Sequence, residues 1–124
     1  MDATTKRLKF LISGVGSTQI AYISGFLTRE CLESFNLLLK EIQTDPRTRI
    51  VLNLTALDDV DEIGSKALLN IINKVRDQGR DIRLCAARPS VREMLAQNDL
   101  LLGEIDPNLE SALRRVSFQK ASAR

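Results

Sequence analysis

The sequence predicts an α/β fold: one domain on one mixed β-sheet, with about four helices packed against it. Three observations predict it. After its first strands the chain alternates strand-like and helix-like apolar patterns, which implies right-handed crossovers and a largely parallel sheet. Before that, two strand-like runs are joined by a short glycine-bearing link, the pattern of an antiparallel hairpin. And 124 residues are enough for one real core but not for two.

Residues 1–7 are polar and read as a flexible N-terminus. Leu8 to Ser13 is the first strand, with Leu8, Phe10 and Ile12 on one side. Gly14 to Thr18 is the turn, and Gln19 to Leu27 the second strand. The Gly14-Val15-Gly16 pair is a turn and not a phosphate loop, because a strand follows where a dinucleotide fingerprint needs a helix and a third glycine. Thr28 is placed as an N-cap for the first helix, whose buried stripe is Cys31, Leu32, Phe35, Leu38, Leu39 and Ile42. Pro46 closes that helix. Ile50 to Thr55 is an almost unbroken apolar run, interrupted by Asn53, as in a strand buried on both faces.

The second helix is expected over residues 64–78, with Ala67, Leu68, Ile71, Ile72 and Val75 inward and Gly79 just past its end. Ile82 to Ala87 is the next strand. Pro89 opens a short helix over residues 90–97, with Val91, Met94 and Leu95 inward. Leu100 to Ile105 reads as an edge strand broken by Gly103. Asp106 is expected to cap a last helix with Pro107 at its first position and Leu109, Ala112, Leu113 and Val116 buried. The domain therefore spans residues 8–117, followed by a small, loose basic tail at 118–124.

Composition removes several functions. The chain contains no histidine, which takes away the commonest general base and metal ligand. The net charge is only +2, mixed along the chain, and 4% of residues are aromatic, so nothing points to nucleic acid. Cys31 and Cys85 stand apart in apolar patterns and read as buried reduced thiols, not as a disulfide or a zinc site. The start lacks an apolar leader and no run is long enough to insert into a membrane, so a soluble, cytoplasmic protein is expected. No nucleophile pair or phosphate loop is present, so no catalytic residue, cofactor or metal is assigned and a non-enzyme is expected.

The chemistry concentrates at Asp58, Asp59, Asp61 and Glu62, four acids between the central strand and the second helix. Three readings compete for them. They can simply solvate the turn and complement the positive helix end, at about 0.3–1 kcal/mol each. They can hold a divalent cation. A phosphoacceptor receiver domain would use acids so, but it begins strand–helix and carries a Lys before its late Pro, where this chain has a hairpin and Arg88-Pro89. Or they can form a regulatory docking loop at a helix N-terminus.

The run Arg49 to Leu69 resembles the hallmark of the STAS domain of anti-sigma factor antagonists: an apolar strand, a short link, then Asp-Ser-Ser-Gly or a close variant opening an apolar helix. Asp61 and Gly64 match its Asp and Gly, and Ala67-Leu68-Leu69 its helix. Ile23 to Leu27, Pro89 to Leu95 and Asp106 to Leu113 are similar to the family's second strand and last two helices, so the resemblance covers nearly the whole chain.

The resemblance implies partner switching. Such a domain binds an anti-sigma factor, often a serine kinase, and phosphorylation of the Ser or Thr after the matching Asp blocks the binding by adding about −1.5 to −2 charge. Here that position is Glu62, which has no hydroxyl and cannot be phosphorylated by such a kinase. Either Glu62 mimics the phosphorylated state, or the chain is an unswitched adaptor with control moved to Ser65. The expected partner-binding surface comprises Asp58, Asp59, Asp61, Glu62, Ile63, Gly64, Ser65, Lys66, Asn70, Asn73 and Lys74, and a homodimer is left open. Two alternatives share the fold: an accessory STAS subunit of a lipid ABC transporter, and a subunit of a stress-sensing complex. An enzyme or nucleotide switch using the acidic turn is the rival from another class, and predicts stabilisation by magnesium.

Overall fold

Gly16 and Ser17 alone turn the chain between its first two strands, with Gly16 at φ 60°. Glycine at the first position of a two-residue hairpin loop is what a primed turn requires. The turn is thus tighter than the five residues expected, because Gly14, Val15 and Thr18 all join the ladder. The computed structural model describes residues 7–98 and 105–122, with side chains described through 115.

Strand β1 (Leu8–Val15) pairs antiparallel with β2 (Thr18–Leu27). One 3-10 turn, Arg29–Cys31, leads into α1 (Leu32–Thr44). There follow β3 (Arg49–Val60), α2 (Glu62–Asp77), β4 (Asp81–Cys85), α3 (Pro89–Gln97), β5 (Ile105–Asp106) and α4 (Leu109–Ser122). The sheet order is β1-β2-β3-β4-β5, and every pair after the hairpin is parallel. This is the mixed α/β sheet that the alternating pattern predicts.

The main core lies between the sheet and α1, α2 and α3. Leu38, Ile42, Leu52, Leu54, Leu68, Ile71 and Leu95 are all fully buried there. It is mostly aliphatic, as the scarcity of aromatic residues requires, with Phe35 buried in it and Phe10 and Phe26 packed against it. A smaller cluster on the opposite face joins Ile20, Val51 and Cys85 to Ala112 of α4, with Leu109 and Leu113 against it. The interruption at Asn53 is explained on that face, where its Oδ1 accepts from the Thr55 N–H at 3.0 Å and the Thr55 hydroxyl at 2.6 Å.

Several expected boundaries move. Strand β3 does not end at Thr55 but runs to Val60, because β2 stays beside it through two register shifts as far as Leu27. Asp58 and Asp59 therefore stand on a strand, not in a turn. Thr28 precedes the 3-10 turn without a side-chain cap bond to backbone; its hydroxyl contacts Cys31 Sγ instead. Strand β4 ends at Cys85, before the expected Ala87. Asp106 is a buried member of β5 and does not cap α4. Asn108 takes that part, its Oδ1 accepting from the Ser111 N–H at 2.8 Å, so Pro107 lies ahead of the cap. Helix α4 runs to Ser122, through residues read as a loose tail. Of the expected edge strand, Leu100 to Glu104 lie outside the described residues, as do residues 1–6 of the N-terminus and the last two of the tail.

Candidate regulatory surface at the start of α2

Asp61 organises this end of the sheet. It sits in an extended conformation as the N-cap of α2, and its Oδ1 accepts from the Gly64 N–H at 2.7 Å. Its Oδ2 accepts from the Arg29 N–H at 2.9 Å, and its own N–H donates to Leu27 O at 3.3 Å. Through its carboxylate and its backbone N–H, this one residue ties the turn before α1, the start of α2 and the end of β2 together. Gly64 lets this happen sterically, because a Cβ there would be driven into the carbonyl oxygen of Leu27. Helix α2 begins at Glu62, two residues before the expected start.

The other acids meet different partners. Asp58 pairs with Arg88 at 2.9 Å, linking the end of β3 to the start of α3. Ala86, in the left-handed region at φ 62°, turns the chain between β4 and that arginine, its N–H donating to Asp106 O at 2.9 Å. Asp59 Oδ1 accepts from the Val60 N–H at 2.9 Å. Glu62 pairs with Lys66 one turn along α2 at 3.1 Å, and both side chains are about two-thirds exposed. Such a pair contributes at most about 0.5 kcal/mol, so it holds the two charges together only loosely. The four carboxylates point to four different groups and do not converge on a cation; among the described residues no cluster of three or more potential metal ligands occurs.

The residues named from the sequence divide into two sets. Asp61 is half-buried and engaged by backbone, and Gly64 and Ser65 are buried. Ser65 is 2% exposed, with an Oγ that has no hydrogen-bond partner. Its hydroxyl is thus covered in the folded chain, unlike that of an exposed acceptor. Asp58, Asp59, Glu62, Ile63, Lys66, Asn70, Asn73 and Lys74 are exposed. Those on α2 fall at helical spacings of three and four, so they line one solvent-facing stripe that starts at Ile63, an apolar side chain 41% exposed.

Sequence reasoning missed the residues that brace the surface from other elements. Arg88 and the Arg29 amide were not assigned, and neither was the pair beneath α4: Arg83 Nε and a second guanidinium nitrogen donate to the two oxygens of Asp106 at 3.0 and 3.1 Å. Both side chains are almost completely buried, and Arg115 approaches Asp106 from outside at 3.4 Å. An arginine inside the apolar run Ile82 to Cys85 was the available sign that a buried acid must face it.

The hairpin-led mixed sheet and the capped Asp–x–x–Gly helix start define a known class of domain. The chain belongs to the STAS domain family, whose model matches residues 20–112. No curated protein sequence matches the chain. Among solved structures it is similar to an anti-sigma factor antagonist from Mycobacterium paratuberculosis, with TM-score 0.80, 18% identity, and coverage of 89% of this chain and 94% of that one. RsbS from Moorella thermoacetica, in a serine-to-glutamate variant, gives 0.77 and 22%, covering 91% and 98%. The Bacillus anti-sigma factor antagonist SpoIIAA in its unphosphorylated form gives 0.72 and 21%, covering 88% and 96%. At these identities the similarity is one of fold.

Proposed function

We propose that this STAS domain is an anti-sigma factor antagonist that acts in the cytoplasm as a regulatory docking protein and not as an enzyme. Its partner is an anti-sigma factor of serine-kinase type. The contact surface is the stripe Glu62, Ile63, Lys66, Asn70, Asn73 and Lys74, with Asp58 and Asp59 at its border. Asp61, Gly64 and Ser65 act from beneath, by fixing where the stripe stands.

The observation that carries this reading is Glu62 itself. It is exposed on the first turn of α2, directly after the capping Asp61, where the family's resemblance puts a phosphorylatable hydroxyl. A carboxylate there presents a permanent negative charge, the electrostatic part of what phosphorylation would add. Glu62 therefore weakens docking to a partner built for a neutral hydroxyl. That no helix among the described residues is long and apolar enough to cross a membrane is compatible with this role.

The test is capture of the full chain's partners from the native cell, identified by mass spectrometry, followed by titration of the recovered partner. Recovery of a kinase-like anti-sigma factor that binds Glu62→Ser about tenfold more tightly than the parent is the expected result. An unchanged or weaker affinity would sink the charge-mimic role and leave an unswitched adaptor. Recovery of transporter subunits instead would overturn the partner assignment while leaving the fold untouched.

A further inference from the structure

Helix α4 covers only part of its face of the sheet. Among the described residues it packs on β3 and β4 and takes in Ile20 of β2, leaving β1 and the far end of β2 open on this face. Three of the exposed large apolar side chains stand on this open half: Leu11 at 68%, Val15 at 57% and Tyr22 at 37%. They share one face by register, since Leu11 is paired with Tyr22, and Val15 with Thr18 four rungs away. Between Leu11, Tyr22, Asn53 and Thr55 runs an open groove of about 420 Å³.

The charges on this half-face have one sign. Lys9 stands on the same side of β1 as Leu11, at one end of the groove. Arg49 stands on the same side of β3 as Val51, level with Thr18 at the opposite end of the half-face, outside the groove itself. Neither makes an ion pair among the described residues, and the Nε of Arg49 is buried without a hydrogen-bond partner. The strand residues that share the half-face are otherwise apolar or neutral: Leu11, Ser13, Val15, Ile20, Tyr22, Ser24, Val51, Asn53 and Thr55. A partly covered sheet face bounded by cations that make no ion pair among the described residues is complementary to an apolar surface that carries carboxylates.

We propose that this half-face is a second docking surface, separate from the α2 stripe, for an amphipathic helix of a partner protein. That helix lies beside α4, sets its apolar side over Leu11, Val15 and Tyr22, and meets Lys9 and Arg49 with acidic residues. Charge argues against a second copy of this chain as the occupant. A two-fold pairing of the half-face would set cations against cations. The proposal does not rest on the anti-sigma role.

The experiment replaces Leu11 with p-benzoylphenylalanine in the full chain and irradiates the native cell; Tyr22 serves as a second position. Adducts are sequenced, and the melting curve of each variant is compared with that of the parent. The expected result is a heterologous adduct mapped to an amphipathic helical segment with Asp or Glu beside its apolar side. Its yield should fall at least fivefold with Lys9→Glu and stay unchanged with Glu62→Ser, which alters the other surface only. An adduct with a second copy of this chain, an adduct with lipid, no adduct from either position in folded protein, or a yield indifferent to Lys9→Glu would each overturn the proposal.

Discussion

One face of the sheet is sealed by α1, α2 and α3, while the other carries, among the described residues, α4 alone. The sealed face is mainly aliphatic, with Leu52, Leu54, Leu68 and Ile71 at 0% exposure beside the buried Phe35. The α4 face mixes a small apolar cluster with a buried arginine–aspartate pair, a buried asparagine and three exposed apolar side chains. The difference separates two tasks. Apolar burial at about 25 cal/mol per Å² is non-directional and gives the first face its stability. Buried ionic groups stabilise little over an apolar replacement, yet are costly to break, so the second face is tied to one arrangement of α4 by geometry more than by area.

The sharpest way to break the comparison is at the rim of the sealed face. Gly64→Ala sets a methyl group against the Leu27 carbonyl oxygen, which belongs to backbone and cannot yield. We expect a loss beyond about 4 kcal/mol, seen as a collapsed urea midpoint or no folded protein. A midpoint within about 1 kcal/mol of the parent would mean that α2 can shift away from β2, and that the start of the docking stripe is not fixed.

On the α4 face, Arg83→Met leaves Asp106 buried with only the outer Arg115. The expected cost is about 3–5 kcal/mol. Combining it with Asp106→Leu should recover most of that loss, because no buried charge then lacks its partner. Failure of the double variant to recover would show that the pair contributes through packing rather than through charge.

The smallest effect concerns pH. Burial, and secondarily the charge of Asp106, raises the Cys85 thiol from 9.0 to about 11. Below about pH 9 the thiol is protonated in folded and unfolded chains alike, and its contribution is fully present. Above it the unfolded thiol ionises first, so stability is lost as pH rises from about 9 to 11, by at most about 2–3 kcal/mol. Cys85→Ala should flatten that part of the stability curve relative to the parent. An identical slope in both proteins would place the titration elsewhere.

Much of the sealed face was legible in the sequence. Leu68, Ile71, Ile72 and Val75 recur at helical spacing, and spacing is what decides which side chains a helix buries. Asp61 was legible as a cap, since an Asp before an apolar helical stripe has one favoured use. The α4 face was harder. Asp106 precedes a proline and a helix, so local chemistry made it a cap; only the approach of β4 makes it the partner of Arg83, 23 residues earlier. The acids of the docking surface misled in the same way. A run of four carboxylates reads as one acidic loop, yet pairing with β2 extends the strand under Asp58 and Asp59, and Arg88 and Lys66 take two of the charges.

The sequence by itself determined the class of fold, the hairpin, the order of strands and helices, the main core and the glutamate at the head of α2. These depend on the period of apolar residues and on turn and cap chemistry, which act within about one turn or one strand. Only the tertiary structure decided that Gly64 is obligatory, that Ser65 is buried, that Asp106 is buried against Arg83, and that Leu11, Val15 and Tyr22 stay exposed on one sheet face. Each of those depends on which segments the sheet brings side by side, and contacts between residues far apart in the chain leave no periodic trace in it.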